Sequence, residues 1–344
     1  MKKKLLALAL AVVSCFALTA CGSDEGKELQ DMDLSKYLQL GEYSGVEISP
    51  QLEEVGDADV ESGVENLYLN QYEGEGITDR AVENGDVAYI HFAGYKDDVA
   101  FEGGTGETNL KIGSGTFIPG FEEGLIGVMP GEETALDLTF PEDYHSADLA
   151  GQSVVFKVTV DYIVPEISDE IVASFGNDEY TTVAEMEDYV RTTLQEEVDD
   201  NNYDTIVRVA MQKIIANTTF KEIPEFLVEQ QKTILEGQLA TTLQGTNIDV
   251  ETYLSVFYGT SLDALAEDNV KERMVIQAIA NEIGVEITDE AVEAELESIA
   301  VDYGVTNDQI LAMMGTDRAY YREYMYGVKV YEYIYQNTVV TEAE

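Results

Sequence analysis

Thiols and imidazoles are nearly missing from this chain. Its 344 residues include two cysteines and two histidines, and no tryptophan. Cys15 sits inside an apolar N-terminal run and Cys21 follows directly after it. Once that run is removed Cys21 stands alone, so no intramolecular disulfide and no cysteine-based zinc site can form. His91 and His145 are too few for a familiar metal cluster, so any chemistry here runs without metals or thiols, and no cofactor is expected. Basic side chains are scarce as well. The 19 Lys and Arg face 68 Asp and Glu, for a formal net charge of −49. Nucleic acid, whose phosphates need a basic footprint, is thereby excluded as a partner. The acidity describes a well-solvated, self-repelling surface.

What is present begins with a targeting pattern. "MKKK" is a basic start, and "LLALALAVVSCFAL" is apolar but too short for a comfortable bilayer span. It ends in Leu18-Thr19-Ala20-Cys21, which resembles a bacterial lipobox. Residues 1–20 are then a lipoprotein signal peptide, and Cys21 is lipidated, which implies a lipid anchor in the cell membrane and an extracytoplasmic protein. Residues 21–45 are acidic and aperiodic and read as a tether. With 45% hydrophobic residues, the remainder can build cores for two domains.

Residues 46–80 form a connector, with a short strand at "VEISP" and a helix over "DADVESGVENLYLNQ" whose Val60, Val64 and Leu67 share a face. Asp57 or Asp59 is its expected N-cap. From residue 81 the period becomes two. Ala88, Ile90 and Phe92 share one face, as do Leu136, Leu138 and Phe140, and as do Val154, Phe156, Val158, Val160 and Tyr162. Such alternation marks antiparallel strands with one buried face. Between them, Ile118, Phe121, Leu125 and Val128 fall at helical spacing, which predicts a short helix opened by Pro119 and Gly120. Residues 81–165 are therefore an α+β domain, an antiparallel sheet wrapped on a short helix. After Pro165 the pattern is helical to residue 344, with helices expected over 183–217, 224–244, 261–283, 288–303 and 318–336.

The stretch from "GDVAYIHFAG" through "FEGG", "IGSGTFIPGFEEGL" and "FPEDYH" to "SVVFKVTV" resembles an FKBP-type peptidyl-prolyl cis-trans isomerase domain, in the family's order over about 80 residues. "FEGG" and "FPEDYH" resemble the isomerase domain of trigger factor more narrowly, and "PEISDEIVASFG" and "IPEFLVEQQ" resemble its helical chaperone domain. Trigger factors open with a ribosome-binding domain of "GFRxGKxP" signature. Here a lipobox and a tether occupy that place, so no ribosome contact is expected. The resemblance implies a membrane-tethered isomerase and chaperone for exported, still-folding polypeptides with X–Pro bonds.

Isomerisation needs little from a site. The barrier of roughly 18–20 kcal/mol is lost amide resonance. An apolar pocket disfavours the charge-separated planar amide relative to the twisted one, and each ~1.4 kcal/mol of difference is about tenfold in rate. The resemblance places the catalytic pocket at Phe92, Phe101, Phe117, Ile118, Phe121, Tyr144 and Phe156. Phe121 would be its floor, where many relatives have tryptophan, and Ile118 would offer its N–H to the substrate carbonyl. Glu102 and Leu110 are secondary candidates for substrate contact. Thr108 falls near a position that is often aromatic, which thins one wall.

Periodicity alone also fits Phe92, Phe156 and Ile118 as core residues, whereas Phe101 and Phe117 sit in glycine-rich stretches. His91 and His145 read as surface or hydrogen-bonding residues. The seven tyrosines of "AYYREYMYGVKVYEYIY" suit either helix packing or an adaptable surface for unfolded chains. The alternative function is a non-catalytic holdase with an FKBP-like docking domain. A solute-capturing receptor fits poorly with sheet-then-helices order, and a parvulin-type foldase lacks its paired histidines.

Overall fold

The computed structural model describes residues 28–246 and 248–342. The expected signal peptide and Cys21 lie outside the described residues. About half of the chain is helical, with a small antiparallel sheet ahead of a helical C-terminal part. The first elements are β1 (Leu38–Gln39), β2 (Glu47–Ile48), α1 (Asp57–Gln71), β3 (Val87–Lys96), β4 (Val99–Lys111), β5 (Glu133–Thr139) and β6 (Ser153–Val164). Then come α2 (Asp169–Ser174), α3 (Val183–Asn217), β7 (Thr219–Phe220), α4 (Glu225–Thr242) and α5 (Val250–Tyr253). The last are α6 (Leu262–Ile283), α7 (Asp289–Tyr303), α8 (Asn307–Met314), α9 (Arg318–Asn337) and β8 (Val339–Val340).

Two compact units result. One is Glu54–Val198; the other joins the described residues up to Glu53 with those from Asp199 onward. This division differs from the boundary expected after residue 165. Met186 and Tyr180 pack with Val164, Val172 and Tyr68, and Val190 packs with Val60 and Val64, so the start of α3 shares a core with α1.

In the Glu54–Val198 unit, four strands pair antiparallel in the order β4-β3-β6-β5. Ala88, Ile90, Val158, Val160 and Phe156 face one core, as their alternation predicts. Tyr162 departs from it. The β3–β6 register slips between Tyr89 and Ile90, so Tyr89 opposes Tyr162 while Ile90 opposes Val160. One extra residue in a strand inverts the faces beyond it. Ile163 is therefore the buried residue, and Tyr162 stacks on Tyr89 with ring centroids 5.2 Å apart.

The expected short helix over 118–128 shrinks to one 3-10 turn, Glu123–Leu125. Gly120 and Gly127 both have φ of +91° and break the backbone on either side. Phe121 and Leu125 still face the sheet and are fully buried. At α1 the N-cap is Gly56, and Asp59 accepts a hydrogen bond from its N–H at 2.9 Å.

In the other unit, α6 is buried along much of its length and packs on α4 and α9. Residues 28–45, expected as tether, are largely built into this unit. Leu29, Met32, Leu34 and Leu38 are buried against Leu227, Val270 and Met274, and β1 pairs with β7. Apolar side chains among the acids anchor that segment. Thr288 caps α7 as expected, accepting from the Ala291 N–H. The tyrosines of α9 mostly pack. Tyr321 and Tyr326 are buried, and Tyr331 donates its hydroxyl to Glu272 at 2.9 Å. Burial pushes the Tyr321 phenol up to about 12.

Candidate active site

Six of the seven pocket residues expected from the sequence are aromatic, and the fold brings all six to one face of the sheet. Phe92 on β3 and Phe156 on β6 project from adjacent strands with ring centroids 6.3 Å apart. Phe121 lies beneath them, edge-on to Phe156 at 5.3 Å and to Phe92 at 6.1 Å. Phe117 stacks obliquely on Phe121 at 4.4 Å and meets Phe92 edge-on at 5.5 Å. Phe101 is edge-on to Phe156 at 5.8 Å. Tyr144 joins through Phe140, whose ring lies 4.5 Å from Tyr144 and 6.0 Å from Phe101. Edge-to-face pairs of this kind align ring quadrupoles and hold one another rigidly.

Exposure sorts the group. Phe121 is 0% exposed and Phe156 is buried, whereas Phe92, Phe101, Phe117, Ile118 and Tyr144 are half-buried. Leu110, expected to touch substrate, is instead a core residue at 2% exposure opposite Ala88. Glu102 is exposed on β4. Among the described residues nothing accepts the Ile118 N–H or binds the Tyr144 hydroxyl. Both are polar groups at the edge of an otherwise apolar cluster.

Phe101 belongs to β4 rather than to a loop, and the reason is a bulge. Ala93 pairs with Thr105 and Tyr95 with Ala100, so residues 101–104 stand opposite Gly94 alone. A Cβ on Gly94 would lie 2.5 Å from the Phe101 ring and 2.8 Å from the Phe156 ring. Only glycine lets those two rings close over the strand. Gly94 closes the run that begins the family resemblance, two residues after Phe92.

Glu122 and Phe140 are the site residues that sequence reasoning missed. Glu122 is 4% exposed, a buried carboxylate beside the cluster. Its Oε2 accepts from the N–H groups of Gly113 at 2.8 Å and Gly115 at 3.0 Å. Its Oε1 accepts from Phe117 N–H and from the Ser114 hydroxyl, each at 3.2 Å. Burial alone would raise this carboxyl, but the Gly115, Phe117 and Gly113 N–H groups outweigh it, and its pKa lies below the usual range. The charge therefore organises the 113–117 loop that carries Phe117. Glu123, by comparison, is exposed and, among the described residues, accepts from Gly120 N–H alone, at 3.0 Å. On the opposite face of the sheet His91 bridges Glu107 and Asp161 and takes no part.

A four-stranded antiparallel sheet with an aromatic cluster on one face is the FKBP-type arrangement. The family model described as FKBP-type peptidyl-prolyl cis-trans isomerase matches residues 78–161, and that described as bacterial trigger factor protein C-terminus matches 182–336. The chain belongs to the trigger factor family. It is 35% identical over 297 residues to the trigger factor of Listeria innocua, across 83% of this chain and 69% of that one. With the trigger factor of Clostridioides difficile it shares 34% over 294 residues, across 83% and 68%. A solved structure concerned with promiscuous substrate recognition by the trigger factor chaperone aligns at a TM-score of 0.43 and 20% identity, covering 87% of this chain and 72% of that one.

Proposed function

We propose that this chain is a peptidyl-prolyl cis-trans isomerase and chaperone that acts on exported polypeptides from a lipid anchor at Cys21. The observation that carries the catalytic part is the cluster itself. Half-buried Phe92, Phe101, Phe117 and Tyr144 pack in one cluster with Ile118, whose N–H no group among the described residues accepts. A proline ring seated on those aromatics leaves water, which favours the twisted amide. The Ile118 N–H then donates to the preceding carbonyl. No nucleophile, proton transfer or cofactor is required, because the reaction is rotation about one C–N bond.

The N-terminal pattern of basic start, apolar run and Ala20-Cys21 supports the anchor. Membership of the trigger factor family supports the chaperone role and folding chains as clients. The direct test is proline-limited refolding of a denatured protein by the full chain. Tyr144→Ala and Phe101→Leu suit it better than a Phe121 variant, because Phe121 is fully buried and its truncation disrupts the fold. Loss of acceleration in both variants, with their melting retained, is the expected result. Equal acceleration by wild type and variants overturns the assignment.

One observation favours a second reading, a holdase that docks peptides without turnover. Phe117 lies directly over Phe121, so a proline that reached that floor would have to displace it. Suppression of aggregation with no effect on proline-limited phases selects this reading.

A further inference from the structure

The docking of Leu29 to Leu38 into the helical unit shortens any N-terminal tether. Glu28 and Leu29 lie beside Gln277 of α6, and Arg322 donates to the Glu28 carboxylate at 2.7 Å. Cys21 stands seven residues before Glu28, a stretch that reaches at most ~25 Å when fully extended. Gln277 stands fifteen residues after Leu262, the first residue of α6, which is about 22 Å of helix. Leash and helix are nearly equal in length. A bilayer that holds Cys21 is therefore within reach of the N-terminal end of α6.

That end of the helix carries an exposed apolar projection. Val256, Phe257 and Tyr258 are 70%, 64% and 64% exposed. They belong to a single π-type turn, Leu254–Tyr258, that continues α5. Gly259 closes it at φ +64°, with its N–H donating to the Leu254 carbonyl. The base of the turn is fixed, because Leu254 is buried with Leu235, Leu262 and Ala266. The rings are ordered as well. Tyr253 holds Phe257 and Tyr258 at centroid distances of 5.2 and 5.5 Å, and the hydroxyls of Tyr253 and Tyr258 share a hydrogen bond of 3.3 Å. Contiguous exposed apolar side chains mark an interaction surface. Phenyl and phenol rings on such a projection suit the headgroup level of a bilayer, where an apolar body and a polar tip are both satisfied.

Charge narrows the kind of surface. From residue 233 to 270 the sequence holds no Lys or Arg, while Asp249, Glu251 and Asp263 flank the turn in sequence and are exposed. Lys232 pairs with Asp263 at 2.7 Å, and Glu251 gains no such partner from this stretch. Anionic headgroups are repelled, so the attraction comes from apolar burial alone.

We infer that Val256, Phe257 and Tyr258 insert into the bilayer interface as a second membrane contact beside Cys21, orienting the helical unit on the membrane. The inference rests on the lipid-anchor reading, because the short reach to Cys21 is what selects lipid over other partners for this turn. Once Cys21 is anchored the second contact is intramolecular, so it needs little affinity of its own.

The chain from Cys21 onward has one cysteine and no tryptophan. Coupling Cys21 to a maleimide lipid in phosphatidylcholine vesicles supplies the anchor, and the exposed Phe257→Trp supplies a sole tryptophan. On coupling, F257W emission should shift to the blue. Brominated phosphatidylcholine should quench it about threefold more than it quenches Tyr303→Trp, another exposed position of the same unit. Adding Val256→Asp to F257W should abolish both changes, and anionic phosphatidylglycerol should weaken them about twofold. No blue shift, quenching equal to that of Tyr303→Trp, or insertion strengthened by anionic lipid would overturn the inference. So would Phe257→Ser that lowers suppression of aggregation in vesicle-free solution while F257W stays unquenched, which assigns the turn to unfolded polypeptide. The anchor is read separately, from the mass of the protein recovered from cell membranes. Acyl chains on Cys21 support it, and an unmodified Cys21 overturns the lipid-anchor reading whatever the coupled vesicles show.

Discussion

Replacing Glu122 by Gln removes one charge and changes almost no volume, yet the structure predicts a large effect. Both carboxylate oxygens are occupied, one by two backbone N–H groups and the other by Phe117 N–H and Ser114. The amide of glutamine keeps one acceptor and turns the other into a donor. In its better orientation it keeps Gly113 and Gly115 and faces the Phe117 N–H with its own NH₂. One buried N–H is then orphaned, and two charge-assisted bonds become neutral ones. Together these cost about 2–3 kcal/mol, or roughly 4–10 °C in the melting of a unit of this size. Because Phe117 is the ring released, proline-limited refolding activity should fall about tenfold even well below the melting temperature. Acid unfolding adds a second readout. The folded pKa of Glu122 is depressed, so its contribution is complete above the unfolded value near ~4.3 and is lost as pH falls through the folded value. The difference between wild type and Glu122→Gln should therefore shrink in that acid range. Glu123→Gln is the control, with one exposed bond and an expected cost under about 1 kcal/mol. An E122Q protein that melts within a degree of wild type and keeps its activity would refute the role assigned to this carboxylate.

Gly94→Ala forces a Cβ to within 2.5 Å of Phe101 and should cost about 1–3 kcal/mol, read by denaturant midpoint, with a parallel loss of refolding activity. Glu323→Gln strips Arg273 of a two-bond partner at 2.8 and 3.1 Å in a largely buried position. The expected cost is about 2–4 kcal/mol, and the double Arg273→Met, Glu323→Met variant should recover most of it. Arg80→Ala breaks a two-bond pair with Asp86, at 2.7 and 2.9 Å, that is partly exposed, so about 1 kcal/mol is expected. The hydrogen bonds from Arg80 hold Asp86 below its usual pKa, so this loss should be present near neutral pH and vanish as acid protonates Asp86.

Much of this architecture was legible because periodic burial leaves a periodic trace. The strand faces at Ala88–Ile90 and Val154–Val160 and the long C-terminal helices lie where alternation and capping put them. Three features were not legible, each for a stated reason. The slip at Tyr89 moves Tyr162 to the outer face, and a bulge has no signature in alternation until it is seen. The stretch from Leu29 to Leu38 has irregular apolar spacing, so its burial depends on a groove formed by α4 and α6 much later in the chain. Glu122 reads as a surface acid because its partners are backbone N–H groups, which no sequence pattern displays. The aromatic cluster was legible through family resemblance, and the structure supplies its physical basis in Gly94 and Phe140.

The central claim is that aromatic packing around the Ile118 N–H accelerates rotation about an X–Pro bond. Exchange NMR on a short X–Pro peptide, with catalytic amounts of full chain, measures that rotation directly and without a coupled protease. The account predicts faster cis–trans exchange with wild type and a loss of about tenfold or more with Tyr144→Ala and Phe101→Leu, each still folded. Exchange that stays at the uncatalysed rate with wild type, or that both variants accelerate equally, would contradict it.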